Sequence, residues 1–214
     1  MAHPRQRKSQ QERRTQMRSR LIEATLVCLE QRGYHGTSLT HILERAGVSR
    51  GAWRHHFATK HDLVAAAAED ALTRAVTTTQ GLAHQLPPEQ LDLERLFDFI
   101  WDNFYTGRHR AVWLEINVAC RTDSTLRQRL TPILQKFHAA MEKAWKSQCA
   151  TTDLTRNPIE ALLVLTINAF RGMAVQSIVQ DDQSYYKKLR RYWISILEPL
   201  ITQKEDRAAA RIKP

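Results

Sequence analysis

An all-α fold is predicted for this 214-residue chain, and three observations predict it. Apolar residues recur at helical spacing in one segment after another, and no stretch alternates apolar with polar residues as a strand does. Gly and Pro are few, seven of each. Four of the glycines, Gly33, Gly36, Gly47 and Gly51, lie within one 19-residue window. The rest of the chain has the composition of long helices.

The N-terminal region carries most of the positive charge. Residues 1–60 hold 12 Lys and Arg against 4 Asp and Glu, which is +8 of the net +10. We expect residues 1–14 to be a basic flexible arm and the first helix to follow over residues 15–32, with Gly33 as its C-cap. This charge asymmetry favours a polyanionic partner, either nucleic acid or an anionic membrane surface; the alternative is a solvated basic tail.

Two short helices separated by a turn are predicted next. Thr37 or Ser38 is the expected N-cap of the second helix, whose apolar residues recur at positions i, i+3, i+4 and i+7. Gly47 ends that helix, and Ser49 caps a third helix that we expect to run to about Phe57. Two short helices joined by a turn that contains Gly form the helix-turn-helix pattern, so residues 15–60 are a predicted DNA-binding domain.

The third helix has an outward face suited to DNA. Arg50 and Arg54 lie four residues apart on it, and a guanidinium donates two hydrogen bonds to the edge of guanine. Gly51 and Ala52 lie between them, and their small size lets the helix approach DNA closely. Three donors one turn further on are placed to contact phosphates, namely His55, His56 and Lys60. The alternative is an ordinary solvated face.

Residues 20–63 resemble the DNA-binding domain of the TetR family of bacterial transcriptional regulators. The matching residues read TSLTHILERAGVSRGAWRHHFATKHDL. They include a capped second helix, Ala-Gly-Val-Ser in the turn, a Gly in the third helix, and His-Phe followed by a Lys and a Leu. The resemblance implies phosphate contacts for Thr37, Ser38, Thr40, His55, His56 and Lys60, and base-edge contacts for Arg50, Gly51, Ala52 and Arg54.

Arg54 departs from the family pattern. Members usually have Leu-Tyr where this chain has Trp53-Arg54, and that Tyr commonly touches phosphate. Arg54 is therefore either a base reader or a phosphate clamp. The resemblance further implies that a dimer binds a palindromic double-stranded DNA operator, represses transcription and is released by a small-molecule effector.

The remainder is expected to form one helical regulatory and dimerisation domain over residues 61–202, followed by a polar tail over residues 203–214. The Ala-rich residues 60–81 predict a long linker helix. Helical patterns then recur over residues 91–105, 108–121, 124–148, 159–179 and 184–201.

The last two of these helices are the expected dimer interface. The final helix has an apolar stripe wider than one neighbour needs, and the helix before it is apolar on nearly all sides. The predicted interface residues are Gly172, Tyr185, Leu189, Tyr192, Trp193, Ile196 and Leu197. The alternative is that these residues form the core of a monomer.

Aromatic and polar residues on the intervening helices are candidates for a small-molecule pocket. They are Trp101, Phe104, Tyr105, Trp113, Glu115, Asn117, Phe137, Met141, Asn168 and Arg171. The alternative is that they are core residues.

Two other functions compete with regulation. An all-helical enzyme would need motifs such as G-x-S-x-G, H-E-x-x-H or a Gly-rich phosphate loop, and the sequence has none in a supporting context. An architectural DNA binder would explain the charge but not the helix-turn-helix. We expect no enzyme activity and no cofactor, and no metal because no Cys or carboxylate stands at ligand spacing from the histidines.

The cellular location follows from the cysteines and the apolar segments. Cys28, Cys120 and Cys149 lack the spacing of a disulfide framework or a zinc site. No apolar run is long enough for a secretion signal or a membrane span. We therefore expect a cytoplasmic, nucleoid-associated bacterial protein with no membrane partner.

Overall fold

A computed structural model describes residues 9–85, 93–148 and 158–202. Within these residues the chain forms nine helices and no strand, so the all-α prediction is confirmed. The helices are α1 (Gln10–Gly36), α2 (Leu39–Ala46), α3 (Arg50–Trp53), α4 (Lys60–Gln85), α5 (Leu93–Phe104), α6 (Gly107–Thr122), α7 (Ser124–Gln148), α8 (Pro158–Gln176) and α9 (Gln183–Thr202).

The described residues belong to two compact units that do not follow chain order. The first unit lies within Met1–Ala71 and Ala111–Ile133, and the second lies within Leu72–Arg110 and Leu134–Pro214. The segment formed by α6 and the first turns of α7 therefore packs with the N-terminal helices.

The first helix begins five residues earlier than the sequence predicted. Ser9 caps it, because the Glu12 N–H donates to Ser9 Oγ at 3.1 Å while the Ser9 N–H donates to the Glu12 carboxylate at 2.7 Å. This reciprocal pair satisfies two backbone donors at the start of the helix. Residues 10–14 are therefore helical, and the expectation of a flexible arm is wrong for them. Residues 1–8 of that arm lie outside the described residues.

Near its C-terminal end α1 is kinked at Gly33. This residue has φ 64° and ψ 178°, a backbone conformation that is nearly confined to glycine. A Cβ at this position would lie 2.6 Å from a carboxylate oxygen of Glu115 on α6. The same oxygen accepts the Tyr34 N–H at 2.8 Å. Glycine is thus needed both for the kink and for the approach of α6.

The core of the first unit lies between α1 to α4 on one side and the segment 111–133 on the other. Leu21, Leu29, Ile42 and Leu63 are fully buried in it. The later segment adds five buried apolar side chains, those of Val112, Ile116, Ala119, Leu126 and Leu130. Since truncating one such Leu to Ala costs about 2 to 5 kcal/mol, this segment is integral to the stability of the N-terminal helices.

The second unit has its own core, formed by α5, α8 and α9. Phe97 and Phe170 pack edge to face with ring centroids 5.1 Å apart. Asp98 of α5 accepts a hydrogen bond from Arg190 of α9 at 2.6 Å, and Lys187 lies 3.3 Å from its other oxygen. The aromatic packing and this ion cluster join α5 to α9 although the helices are far apart in sequence.

The predicted boundaries of the later helices hold to within a few residues. α9 begins at Gln183 and ends at Thr202, one residue beyond the prediction at each end, while α8 ends at Gln176, three residues early. α4 continues through Gly81 to Gln85, since a single Gly weakens a helix without ending it. No described helix has the length and apolar character that crossing a membrane requires.

Candidate nucleic-acid interface

Local capping sets the turn between α2 and α3. Ser38 Oγ accepts the His41 N–H at 3.2 Å and so begins α2. Gly47 ends it with a left-handed φ of 60°. Ser49 Oγ then accepts the Ala52 N–H at 3.2 Å and begins α3. The predicted caps of the helix-turn-helix are confirmed, with Ser38 rather than Thr37 as the first of them. The α-helical part of α3 ends at Trp53, and a turn carries the chain to Phe57.

Arg20 of α1 stabilises this turn through hydrogen bonds to its carbonyl groups. Its guanidinium donates to the carbonyl of Ala46, and Nη2 lies 3.4 Å from the carbonyl oxygen of Gly47. Carbonyls at a helix end have no partner inside the helix, so the guanidinium serves as the cap. Sequence reasoning missed this role because nothing in the local pattern distinguishes Arg20 from its neighbouring arginines.

The outward surface of α2 and α3 is polar and open. Arg50 is exposed, and its Nη2 donates to Thr40 Oγ1 at 3.0 Å, which ties the two helices together. A Cβ added to Gly51 would meet no atom within 4 Å. An approaching molecule can therefore reach the backbone of α3 here. Arg54 and His55 are also exposed. We call the residues Thr40, Arg50, Gly51, Arg54 and His55 the open face.

Three other predicted contact residues also serve the fold. Ala52 packs partly against the core. Ser38 is exposed, but its hydroxyl is occupied as the cap of α2. Thr37 is fully buried, and its hydroxyl donates to the Gly33 carbonyl at 2.6 Å. We therefore assign Thr37 to the support of the kinked end of α1 rather than to a phosphate contact.

Lys60 and His56 are less available than their sequence positions suggested. Lys60 Nζ donates to the Tyr34 carbonyl at 3.2 Å and lies 4.5 Å from the centroid of that ring. Burial lowers the pKa of Lys60. Burial also lowers the pKa of His56, with help from the nearby cation Arg14. Burial and Arg14 thus both disfavour the charged form of the His56 ring.

A polar network joins the end of α1 to the junction of α6 and α7. The Tyr34 hydroxyl donates to Asp123 Oδ2 at 2.6 Å, and His61 Nε2 donates to the same oxygen at 2.9 Å. Asp123 Oδ1 accepts the Leu126 N–H at 2.8 Å and so caps α7. Burial alone would raise the pKa of Asp123, but these three hydrogen bonds hold it at about 2.

The candidate pocket residues do not all belong to one unit. Trp113, Glu115 and Asn117 lie on α6 in the first unit, where Asn117 Nδ2 donates to the Trp113 carbonyl at 2.7 Å. Glu115 binds the Tyr34 N–H, so its carboxylate supports the kink of α1 rather than a pocket. Phe104, Phe137 and Asn168 lie in the second unit; the side chain of Met141 lies outside the described residues.

Three of the pocket candidates, Trp101, Tyr105 and Arg171, come together in the second unit. The ring centroids of Trp101 and Tyr105 are 6.1 Å apart, and Phe170, which the sequence analysis did not name, lies 5.5 Å from Tyr105. Burial raises the pKa of Tyr105, while the neighbouring Arg171 opposes the shift. Trp101 is itself only 1% exposed, so it is a core residue at the base of this aromatic group.

The predicted interface residues of α9 divide into two sets. Tyr185, Tyr192 and Ile196 are 42%, 69% and 40% exposed. Leu197 is 1% exposed, and Trp193 Nε1 donates to Thr166 Oγ1 at 3.0 Å inside the unit. Two further residues complete the comparison: Leu189 packs on the core and Gly172 is exposed. Leu197 is therefore too buried in the single chain to contribute to a dimer seam, whereas the partly exposed Leu189 and Trp193 remain predicted seam residues.

The segment from α8 onward exposes apolar side chains that the sequence analysis did not single out. At least 45% of each of the following side chains is accessible: Val164, Leu165, Val175, Ile178 and Val179. Several are spaced so that they share one side of the helix with Gly172. An apolar surface of this kind marks an interaction site.

A helix-turn-helix with an open cationic face, carried by an all-helical chain, defines a DNA-binding transcriptional regulator. Residues 21–67 match the family described as bacterial regulatory proteins, tetR family. An HTH-type transcriptional regulator of Mycobacterium tuberculosis is 30% identical over 168 residues, which cover 78% of this chain and 86% of the relative. The chain belongs to the TetR family of transcriptional regulators, whose members are not enzymes.

Two further comparisons extend over almost the whole chain. The HTH-type transcriptional regulator CymR of Pseudomonas putida is 29% identical over 190 residues, covering 89% of this chain and 93% of that protein. The crystal structure of the regulator FadR from Bacillus subtilis, in complex with stearoyl-CoA, superimposes with a TM-score of 0.63 at 16% identity. It covers 86% of this chain and 97% of that one, so it shares the fold.

Proposed function

We propose that this regulator binds a palindromic operator as a homodimer, represses transcription and is released by a small molecule. The observation that carries the proposal is the open face. Exposed Arg50 and Arg54 flank Gly51, above which no atom lies within 4 Å of an added Cβ. A major groove admits a helix whose surface is low and whose flanking side chains donate hydrogen bonds.

In this proposal Arg50 reads a base and Thr40 orients it. The hydrogen bond at 3.0 Å between Arg50 Nη2 and Thr40 Oγ1 restricts the arginine before DNA arrives. Less side-chain entropy is then lost on binding. The remaining guanidinium N–H groups are available to the O6 and N7 acceptors of guanine. His55 contributes a phosphate contact, and Lys60 adds one if its ammonium leaves the Tyr34 carbonyl. Such contacts position the helix but carry little sequence information.

The homodimer would form through the exposed apolar side chains of α8 and α9. The seam includes Val164, Leu165 and Val175 of α8 with Tyr192 and Ile196 of α9, each at least 40% exposed in the single chain. A second copy would remove this surface from water, and a twofold axis would let the same patch serve on both subunits. The two helix-turn-helix domains of such a symmetric dimer would recognise half-sites about 34 to 36 Å apart, or a multiple of that spacing.

Release would follow from a ligand that binds the free form better than the DNA-bound form. DNA would then weaken the ligand by the same factor by which the ligand weakens DNA. One observation supports a ligand-responsive regulator: the FadR of Bacillus subtilis, which shares this fold, was crystallised with stearoyl-CoA.

The proposal of a specific operator is tested by selecting DNA fragments that the purified protein binds and footprinting the protein on the selected fragments. We expect a discrete protected site with twofold symmetry. Protection of no discrete site would favour a sequence-independent architectural binder instead.

Gly51→Leu tests the open face directly. Since nothing lies within 4 Å of the added Cβ, the thermal midpoint should not fall, but the leucine would hold α3 away from the groove and reduce operator affinity about tenfold or more. Gly51→Ala is the matched control, expected to keep most of the affinity. A Gly51→Leu protein that binds the operator normally would show that α3 does not enter the groove.

A further inference from the structure

The first turns of α1 carry a second group of cations in the unit that contains the helix-turn-helix. Residues 9–20 read SQQERRTQMRSR, with four arginines and one glutamate. The sequence predicted a flexible arm as far as residue 14, but the capping pair of Ser9 and Glu12 makes residues 10–14 helical. A helix fixes the direction in which each side chain leaves the backbone, so these arginines form a defined surface.

Two of the arginines lie on the same side of α1. Arg14 and Arg18 are four residues apart, and both are exposed. The guanidinium carbon of Arg18 lies 5.5 Å from the centroid of the Phe57 ring. This contact places that side of α1 against the turn that follows α3. Arg13 is also exposed, but it leaves the helix about 100° away from Arg14.

The same side of α1 lies next to His56. Burial lowers the pKa of His56, and the neighbouring Arg14, His55 and Arg18 lower it further, so all three lie near its ring. We call Arg14, Arg18, His55 and His56 the α1 patch. It is continuous with the open face, because His55 belongs to both surfaces.

Nearby carboxylates leave the charge of the α1 patch in place. Arg18 lines a groove of about 410 Å³ together with two carboxylates of α4, Asp62 and Glu69. Asp62 is already paired with Arg129 of α7, and Glu69 lies about two turns further along α4. Within the described residues, neither arginine of the patch forms an ion pair with a carboxylate.

The position of the α1 patch favours DNA phosphates as its partner. Guanidinium and imidazole groups are hydrogen-bond donors for phosphate oxygens. A duplex whose major groove receives α3 also brings the two backbones that border this groove alongside the helix. Because the patch lies beside the end of α3, one of these backbones would run past it.

We propose that the α1 patch binds phosphates of the DNA strand that borders the groove entered by α3, with Arg14 and Arg18 as the contact residues. The choice of DNA as the partner rests on the proposed function. Since phosphates are the same in every sequence, the patch should add affinity for the operator and for unrelated DNA alike.

Salt-dependent binding of the full-length protein tests this contact. Affinities of Arg14→Gln, of Arg18→Gln and of the double variant are measured for the selected operator and for a scrambled duplex. Each single substitution should reduce the slope of log K against log salt by about 1 for each subunit bound. The double variant should bind both duplexes about tenfold more weakly. Wild-type affinity and slope in all three variants would overturn the proposal.

Arg13→Gln is the matched control, because it removes the same charge from an exposed position on the same helix. We expect it to change the slope less than Arg14→Gln does. The thermal midpoint of Arg14→Gln should equal that of the wild type, so that a loss of fold does not explain its result. Equal effects of Arg13→Gln and Arg14→Gln would show that overall charge is responsible, and would overturn the assignment to the patch.

Ethylation interference on the operator identifies the individual phosphates. Ethylation removes the negative charge of one phosphate at a time, and ethylation of a contacted phosphate should block binding of the wild type. Arg14→Gln should become insensitive to ethylation at one or more of these phosphates in each half-site. An interference pattern identical to that of the wild type would overturn a direct contact by Arg14.

These measurements separate the α1 patch from the proposed function. If the wild type protects no discrete site, the proposal of an operator fails, while the scrambled duplex still tests the patch. If Arg50→Ala loses operator affinity but the arginine variants of α1 do not, the open face stands and the patch fails. Vesicles of phosphatidylglycerol are the remaining probe. If Arg14→Gln and Arg18→Gln lose binding to vesicles but keep wild-type DNA binding, the patch belongs to a membrane surface and the proposal is overturned.

Discussion

Two sets of polar groups, one in each compact unit, differ in their hydrogen bonding. In the first unit the Tyr34 hydroxyl, the Thr37 hydroxyl and the Asp123 carboxylate all have partners within the fold. In the second unit the Tyr186 hydroxyl and Arg190 Nη1 are enclosed without one among the described residues. The second unit also leaves large apolar side chains of α9 in contact with solvent, Tyr192 at 69%.

This difference indicates which polar groups have their hydrogen-bond partners within the single chain. The network around Tyr34 holds the end of α1 in place without help from a ligand, as a surface that reads DNA requires. Among its described residues the second unit has two enclosed donors without a hydrogen-bond partner and several exposed apolar side chains. Those features are what a ligand and a second copy of the chain would satisfy. The predictions below begin with the apolar surface, where we expect the largest effect.

Replacing Tyr192 and Ile196 with Glu should abolish dimerisation. Both side chains are exposed in the single chain, so the monomer should keep its fold, while charges in an apolar seam would weaken association more than a hundredfold. Sedimentation equilibrium measures the change. Val118→Glu is the control, because Val118 is 54% exposed but lies on α6. A double variant that sediments as a wild-type dimer would move the seam away from α9.

Gly33→Ala should destabilise the first unit by about 2 to 4 kcal/mol. The cost combines a backbone conformation that favours Gly with loss of the Glu115 hydrogen bond to the Tyr34 N–H. Urea denaturation measures it. Gly81→Ala is the matched control and should be neutral or stabilising, since Gly81 lies inside α4 with nothing near an added Cβ. Equal stability of the two variants would contradict the role given to Glu115.

Asp123→Asn should cost about 1 to 3 kcal/mol at pH 7, because it removes the charged acceptor of the Tyr34 and His61 hydrogen bonds. The pKa of Asp123 is about 2 in the folded protein and about 3.9 in an unfolded chain. Its stabilisation is therefore complete above about pH 5 and is lost as the pH falls from about 4 toward 2. Denaturation midpoints across this range should converge for wild type and variant, and a constant difference would exclude the network.

The helices and the helix-turn-helix could be predicted because their sequence signals are local. Ser38, Gly47 and Ser49 indicate two caps and a turn within a few residues, and the apolar spacing indicates each helix. Asp123 also stands where an N-cap is expected, directly before a predicted helix. Its bonds to Tyr34 and His61 could not be predicted, since they join residues 89 and 62 positions away.

The predicted seam residues divide between core and surface for a related reason. A helical stripe shows which side of α9 is apolar, but not where its own core ends and a partner's surface begins. Leu197 and Ile196 are adjacent apolar residues, and the fold buries the first while it exposes the second. The same limit applies to Thr37 and Glu115, whose partners depend on the kink at Gly33.

The central claim is that the open face reads DNA, and Arg50→Ala tests it most directly. Binding to the selected operator and to a scrambled duplex is measured over a range of salt, with Arg191→Ala of the second unit as the control for loss of one charge. The account predicts a loss of about 1 to 3 kcal/mol on the operator, little on the scrambled duplex, and relaxed preference at one position in each half-site. In the same assay, loss by Arg54→Ala on the operator alone would make Arg54 a reader, and equal loss on both duplexes a phosphate clamp. If Arg50→Ala binds the operator as tightly as the wild type, the open face is not the reading surface.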